Sequence, residues 1–460
     1  SSSVEKELLV TNRTRTPAWR SWAIASTDPA IGRWASHTTP SRSQSTTRGT
    51  WVLFIPINPA TLEVVPRFEP FPALRYDSSS SLDITPLTSP PYDVFDETER
   101  ASYAAVSAHN VVLVDYPLEA DGPGRYEMAN ATLQTWVDEG VLLSDNSPTF
   151  SIYRMTFTDE AGRTRTTIGV IGALEVVDEG AGGVLPHERT TPKAKTDRLD
   201  LTRATSANLS PVWGLSLTPG LTDALQAQAT VVGECTDENG VHHVIERVED
   251  ARRIEEISRL VSSHPVLIAD GHHRYAISRT FRDECRANNT LPGANLTMTY
   301  VAELIQDQLS VAAIHRLYDL PVDQLLAALS SHYTATSAGN VGPQTISEMD
   351  SLGCLCIVAP DGTGTYLTPR EDTFAGVRDM DSARLEHALS STTHEVTYQH
   401  GVQEVLLRVS TGQYGSAVLI RPVSLQEIRR TADTGELMPP KSTFFTPKLR
   451  TGMVLRDLRQ

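Results

Sequence analysis

Three short segments hold most of the groups able to move a proton or grip an anion. The first runs Leu185-Pro186-His187-Glu188-Arg189-Thr190-Thr191-Pro192-Lys193-Ala194-Lys195-Thr196-Asp197-Arg198-Leu199, and residues 187–198 pack one His, one Glu, one Asp, two Lys, two Arg and three Thr. That is too polar for a core. Arg, Lys and Thr suit phosphate oxygens, and Glu188 is a carboxylate able to take a proton from a hydroxyl nucleophile, so His187, Glu188, Lys193 and Lys195 are the catalytic candidates. A solvated charged loop is the plainer alternative.

The second segment is Ala269-Asp270-Gly271-His272-His273-Arg274-Tyr275. It follows a compact apolar run, Pro265 to Ala269, and precedes a helical pattern over Tyr275 to Arg286. A strand, a polar turn and a helix start aim backbone amides at an anion. Gly271 permits close backbone approach, Arg274 suits phosphate, and Asp270 can hold magnesium or orient a histidine. Adjacent His272 and His273 diverge on a helix and make a poor zinc pair. An N-cap Asp with solvent-facing histidines is the competing reading.

The third is Met438-Pro439-Pro440-Lys441-Ser442-Thr443-Phe444-Phe445-Thr446-Pro447-Lys448. Lys441, Ser442 and Thr443 resemble the end of a phosphate-binding P-loop, but prolines stand where its glycines belong, which rejects a Walker site. A proline-stiffened wall carrying Lys441, or a structural lid, remains.

Of 40 basic residues only five are lysine: Lys6, Lys193, Lys195, Lys441 and Lys448. Arg and Lys serve alike on most surfaces, so retained lysines mark places where a compact ammonium is needed. Four of the five fall in the first and third segments. Elsewhere Ser89-Pro90-Pro91-Tyr92-Asp93 is a rigid turn able to line a pocket, Cys354 and Cys356 alternate on a strand with one thiol toward the core, and Ser210 and Ser216 sit in no nucleophile-elbow pattern.

The elements that must position these groups read as follows. Residues 1–60 are rich in Ser, Thr and Arg without sustained period, which predicts a disordered tail or a mis-set start. The Val111–Val114 run predicts a strand. Met128, Leu133, Trp136 and Val137 predict one face of a helix over 126–140. Phe150–Phe157 and Thr166–Val177, with Gly162 between, predict a hairpin. Helical spacing over 248–261, and helices at 322–331, 379–389 and 401–410, alternate with strands at 309–317, 354–358, 363–367 and 416–421. The expected class is α+β, mixed sheets with flanking helices, divided into a main domain over 61–320 and a C-terminal α+β domain over 321–460 that holds the Lys441 loop.

The chain has 460 residues, 40% apolar and 21% charged, with a formal net charge of −16. This acidity argues against a nucleic-acid backbone or an anionic membrane as main partner. Four scattered cysteines make no disulfide framework, and no apolar stretch is long enough for a membrane helix, so a cytoplasmic protein is expected. Oligomeric state is not encoded in any of these patterns.

Taken in order, PFPALRYD at 70–77, SPPYDVF at 89–95, LPHERTTPKAKTDRLDL at 185–201, NLSPVWGL at 208–215, ADGHHRYA at 269–276, HEVTY at 394–398 and MPPKSTFFTPKL at 438–449 resemble the bacterial domain-of-unknown-function 1015 family. The His-Glu and Asp-Gly-His-His-Arg segments also resemble the free L-serine kinases of the ParB/sulfiredoxin-like superfamily. That second resemblance implies a ParB/sulfiredoxin-like core, Glu188 as base on a substrate hydroxyl, and Asp270 to Arg274 as phosphate and metal contacts. The expected activity is phosphoryl transfer from ATP or ADP, with Mg²⁺, to a small hydroxylated metabolite such as L-serine. Lys441, Ser442 and Thr443 are expected at the nucleotide. A nucleotide-binding regulator without turnover and a phosphomonoesterase are the alternatives.

Overall fold

The apolar runs of the sequence become the strands of two sheets. The structure is a computed structural model that describes residues 65–158, 163–188, 195–308, 310–342, 344–439 and 441–460, with the side chains of Lys195 and Thr196 left out. The expected tail over 1–60, the Gly162 turn and Lys193 lie outside the described residues.

Among the described residues, nine strands join in one mixed sheet. Across it run Val184–Pro186, Val266–Asp270, Val212–Ser216, Leu296–Glu303, Thr164–Glu175, Phe150–Thr158, His242–Val248 and Thr230–Thr236, and Phe68–Glu69 pairs beside Thr164–Glu175. Two pairings are parallel: Val266–Asp270 with Val184–Pro186, and Leu296–Glu303 with Val212–Ser216. The expected hairpin is present, with Ser151 opposite Ile171 and Thr158 opposite Thr164. Its inner residues are buried on both faces, which explains why the sequence reads as a near-continuous apolar run. Gly169 is required there, because a Cβ would lie 2.4 Å from the Tyr300 ring.

Strand alternation sorts the core into two layers. Tyr153, Ile171, Leu215, Leu267 and Tyr300 face one side, where Ala129, Leu133 and Trp136 of the helix Arg125–Asp138 pack. Phe150, Ile152, Val212, Val266 and Ile268 face the other, against Ile257, Leu260 and Val261 of the helix Ala251–Val261. Burying such large side chains contributes roughly 1.5–3 kcal/mol each.

The second sheet has six strands among the described residues, in the order Tyr333–Asn340, Thr363–Pro369, Leu355–Val358, Ser416–Leu419, Ile314–Tyr318 and Val396–His400, all antiparallel. Helices Val322–Leu329 and Asp381–Ala388 cover one face, Thr345–Leu352 and Val402–Ser410 the other. Both sheets belong to one compact unit, and the class is α+β. Cys354 and Cys356 are both buried.

Two local expectations are corrected. Val112–Asp115 is a helical turn rather than a strand, because Asn110 Oδ1 takes the Val112 N–H at 3.0 Å and starts the turn, and four apolar residues carry no period to tell the two apart. On the helix Arg125–Asp138 the buried face is Ala129, Leu133 and Trp136, whereas Met128 is 54% exposed and Val137 37%.

Candidate functional site

The apolar strand Val266–Asp270 ends at Gly271, whose φ of 83° opens the helix His272–Ala287. A side chain at this position would be strained, and a Cβ would meet Arg274 Nε at 2.9 Å. Gly271, not Asp270, is the N-cap residue, and no side chain caps it. Asp270 turns instead to cations: Arg274 Nη2 donates to its Oδ2 at 3.0 Å, and Lys448 Nζ stands 3.6 Å from the same oxygen. Burial alone would push this carboxyl up, but Lys448, Arg274, His272 and Lys441 together hold it well below the usual carboxylate range.

The parallel partner of that strand delivers the base candidate. Leu267 lies opposite Leu185 and Ile268 opposite Pro186, so the next residues, His187 and Glu188, arrive level with the end of the strand. His187 is 1% exposed. Its Nδ1–H donates to the Ile268 carbonyl at 2.5 Å, which leaves Nε2 to accept the Thr443 hydroxyl at 2.6 Å. Burial lowers its pKa to about 4, so the ring is neutral and oriented from both nitrogens. The His187 N–H donates to His272 Nε2 at 3.4 Å, and the two rings sit 4.7 Å apart. Burial and the neighbouring His187 also hold His272 well below the usual imidazole range.

Glu188 forms a parallel bridge with Met438, whose N–H donates to the His187 carbonyl at 2.9 Å. This clamps the third segment onto the first. The Ser442 N–H then donates to Glu188 Oε2 at 3.3 Å. Burial pushes the Glu188 carboxyl up to about 7, against the opposing pull of Lys441 and the Ser442 amide. A carboxylate with that affinity is poised for proton transfer near neutral pH.

The third segment is bound to both sheets. Lys441 has φ 56°, and its carbonyl accepts Arg316 Nη2 at 3.3 Å. Ser442 is buried, with its hydroxyl on the Pro439 carbonyl at 2.7 Å. Phe444–Phe445 pairs with Val311–Ala312, Phe445 packs against Trp213 and His187 at 5.7 and 5.9 Å, and Lys448 Nζ stands 4.3 Å from the Phe444 ring centroid.

His187, Glu188, Asp270, His272, Arg274, Lys441, Ser442 and Thr443 thus gather at one place, with Gly271 and half-buried His273 in the adjoining helix start. The Ser442 and Thr443 hydroxyls, expected at a nucleotide, are engaged with Pro439 and His187. Lys195 opens the helix Lys195–Thr205. Lys448 also belongs to the cluster, and its rarity as a lysine is the sequence signal that marks it. Among the described residues, no group of three or more His, Cys, Asp or Glu could hold a metal ion, and no helix is long and apolar enough to cross a membrane.

A family model described as a protein of unknown function, DUF1015, matches residues 68–391. The chain belongs to the DUF1015 family. The Lys441–Lys448 loop of this DUF1015 chain lies beyond the matched span. The sequence matches none of the curated proteins. Among solved structures, the DUF1015 chain is similar to a conserved hypothetical protein from Pyrococcus furiosus, at 11% identity and TM-score 0.32, over 57% of this chain and 87% of that one. It is similar to a free serine kinase variant in complex with AMP, at 12% identity and TM-score 0.33, over 57% and 84%. It is also similar to C-terminally truncated SbnI from Staphylococcus aureus, at 13% identity and TM-score 0.33, over 61% and 84%.

Proposed function

We propose that this protein is a nucleotide-dependent phosphotransferase acting on a small hydroxylated metabolite, with free L-serine as the first acceptor to test. One observation carries the reading: a carboxylate titrating near 7, Glu188, is clamped to the loop of Lys441 while Asp270 beside it gathers Lys448 and Arg274. Base and cations on one spot are the parts that phosphoryl transfer requires.

In the proposed step the acceptor oxygen attacks the terminal phosphorus of ATP or ADP. Its proton passes to Glu188, the bond from phosphorus to the bridging oxygen breaks, and the shortened nucleotide leaves. Lys441, Lys448 and Arg274 neutralise the phosphoryl oxygens. Lys193 and Lys195 are assigned to the same task on sequence proximity to Glu188 alone. His187 orients the site as a neutral ring rather than as an acid. A magnesium ion is commonly bound through one or two carboxylates together with substrate phosphates, and Asp270 as a single ionised carboxylate fits that donor set; the ion would draw charge from the phosphates.

The test is incubation with ATP or ADP, Mg²⁺ and a pool of small hydroxy compounds that includes L-serine, read by phosphorus NMR. A new phosphoester is expected. Nucleotide binding without turnover would replace this reading with the regulator, and release of inorganic phosphate alone with the phosphomonoesterase.

A further inference from the structure

Arg316 stands on the strand Ile314–Tyr318 of the second sheet, yet its guanidinium reaches the candidate site. The strand is an interior one, with Arg316 opposite Tyr398 on one side and Val418 on the other, and the residue is 3% exposed. Among the described residues it forms no ion pair. Nη1 donates to the Ile314 carbonyl, Nη2 donates to the Lys441 carbonyl at 3.3 Å, and the guanidinium carbon lies 5.1 Å from the Tyr398 ring centroid. A buried cation without a carboxylate is costly, and an apolar side chain would pack such a place as well. The contact that leaves the second sheet, to Lys441, is therefore the informative one.

That contact falls on a peptide with two ends. The Lys441 carbonyl and the Ser442 N–H belong to one planar trans peptide group, so they point in opposite directions. Arg316 takes the carbonyl, and the N–H is thereby aimed at Glu188 Oε2, 3.3 Å away. Lys441 itself has φ 56°, a left-handed value that a residue with a side chain holds only where its surroundings impose it. Further along, Phe444–Phe445 pairs with Val311–Ala312, and the Thr446 N–H donates to the Ser310 carbonyl at 3.0 Å. The segment just before Arg316 thus anchors the far end of the loop, and Arg316 anchors the peptide that touches Glu188.

We propose that Arg316 is a positioning residue of the site: from the second sheet it holds the peptide between Lys441 and Ser442 so that the Ser442 N–H orients the Glu188 carboxylate. In one respect this rests on the phosphotransferase reading, because the orientation matters to turnover only where Glu188 is the base.

Hydrogen exchange read by mass spectrometry, together with initial rates of phosphoester formation, tests the proposal on full-length Arg316→Met and Arg316→Lys. Arg316→Met removes the donors at similar volume. Exchange at residues 441–443 should quicken at least tenfold, because the bond that aims the Ser442 N–H is gone, while Ile314–Tyr318 and Val396–His400 keep their protection within about threefold. Turnover should fall at least tenfold with the acceptor KM within about threefold, the split expected of a group that acts in the transferring step rather than in binding. Arg316→Lys keeps the charge but replaces a fork spanning two carbonyls with a single point donor, so both effects should be smaller. If Arg316→Met does not fold, Arg316→Lys decides by the same measures. Unaltered exchange at 441–443 in the variants overturns the proposal, and so does exchange that quickens across the second sheet as much as in the loop, or a loosened loop with full turnover. Exchange that loosens only at 441–443 in a protein that makes no phosphoester upholds the clamp and removes the phosphotransferase reading; unaltered exchange beside normal phosphoester formation does the reverse.

Discussion

The backbone N–H of Ser442 donates to Glu188 Oε2 at 3.3 Å across 254 residues of sequence. Because Met438 already bridges Glu188, the loop that follows is fixed at both ends, and Lys441 between them is held in a left-handed conformation. The same clamp half-buries Glu188 and brings a cation to it, and those two effects set its proton affinity in opposite directions.

Glu188→Gln should abolish phosphoryl transfer while leaving nucleotide affinity nearly unchanged, since the substitution is nearly isosteric and removes the base. Initial rates and equilibrium titration measure the two. In the unaltered protein turnover should rise with pH through about 7 as Glu188 loses its proton. Turnover surviving within about tenfold would exclude Glu188 as base.

The same carboxyl makes a stability prediction. Its folded pKa of about 7 lies above its ordinary 4.5, so the folded chain holds this proton more tightly than the unfolded chain between those values. Stability through Glu188 therefore falls as pH rises across that window, by roughly 3 kcal/mol at most. Thermal midpoints of Glu188→Gln and the unaltered protein should agree below about pH 4.5 and diverge in favour of the variant toward pH 7. His187 works oppositely. Its pKa, lowered from 6.5 to about 4, adds stability as pH rises across that range, in both proteins alike. Comparing the two proteins therefore isolates Glu188.

Lys441→Arg keeps the charge but replaces a compact ammonium with a planar fork in a confined loop. Activity should fall while the thermal midpoint barely moves, because the backbone bonds of Lys441 and Ser442 are unchanged. Lys6→Arg is the control. Equal activity in both would mean that the retained lysines are an accident of composition.

Asp270→Asn releases Arg274 and Lys448 from their shared anion. Turnover should drop at least a hundredfold, while nucleotide affinity measured without Mg²⁺ should rise, because two cations lose a competing carboxylate. Weaker metal-free binding would show that Asp270 positions those cations for the nucleotide rather than holding them back.

Much of the site was legible because its chemistry is local. A continuous apolar run, a glycine, and a helical pattern define the Val266–Asp270 to His272–Ala287 turn within a few residues, and the scarcity of lysine marked Lys441 and Lys448. Where a segment is short the local signal fails. Val112–Asp115 carries no period, and its helical turn is decided by Asn110, whose side chain donates to the Pro86 and Thr88 carbonyls and accepts from Val112. The Ser442 and Thr443 hydroxyls read as free phosphate ligands until the fold assigns them to Pro439 and His187.

The sequence by itself determined which groups could do chemistry, the conformational need for glycine at 271, and the alternation that gives each strand two faces. Only the tertiary structure decided which of these groups meet. The parallel register of Ile268 with Pro186 sets Glu188 beside Asp270, and the bridge to Met438 brings Lys441 across from the C-terminal region. Periodicity and backbone preference act over a handful of residues, whereas strand pairing is selected by how side chains hundreds of positions apart fill one core, and no local window of sequence contains that choice.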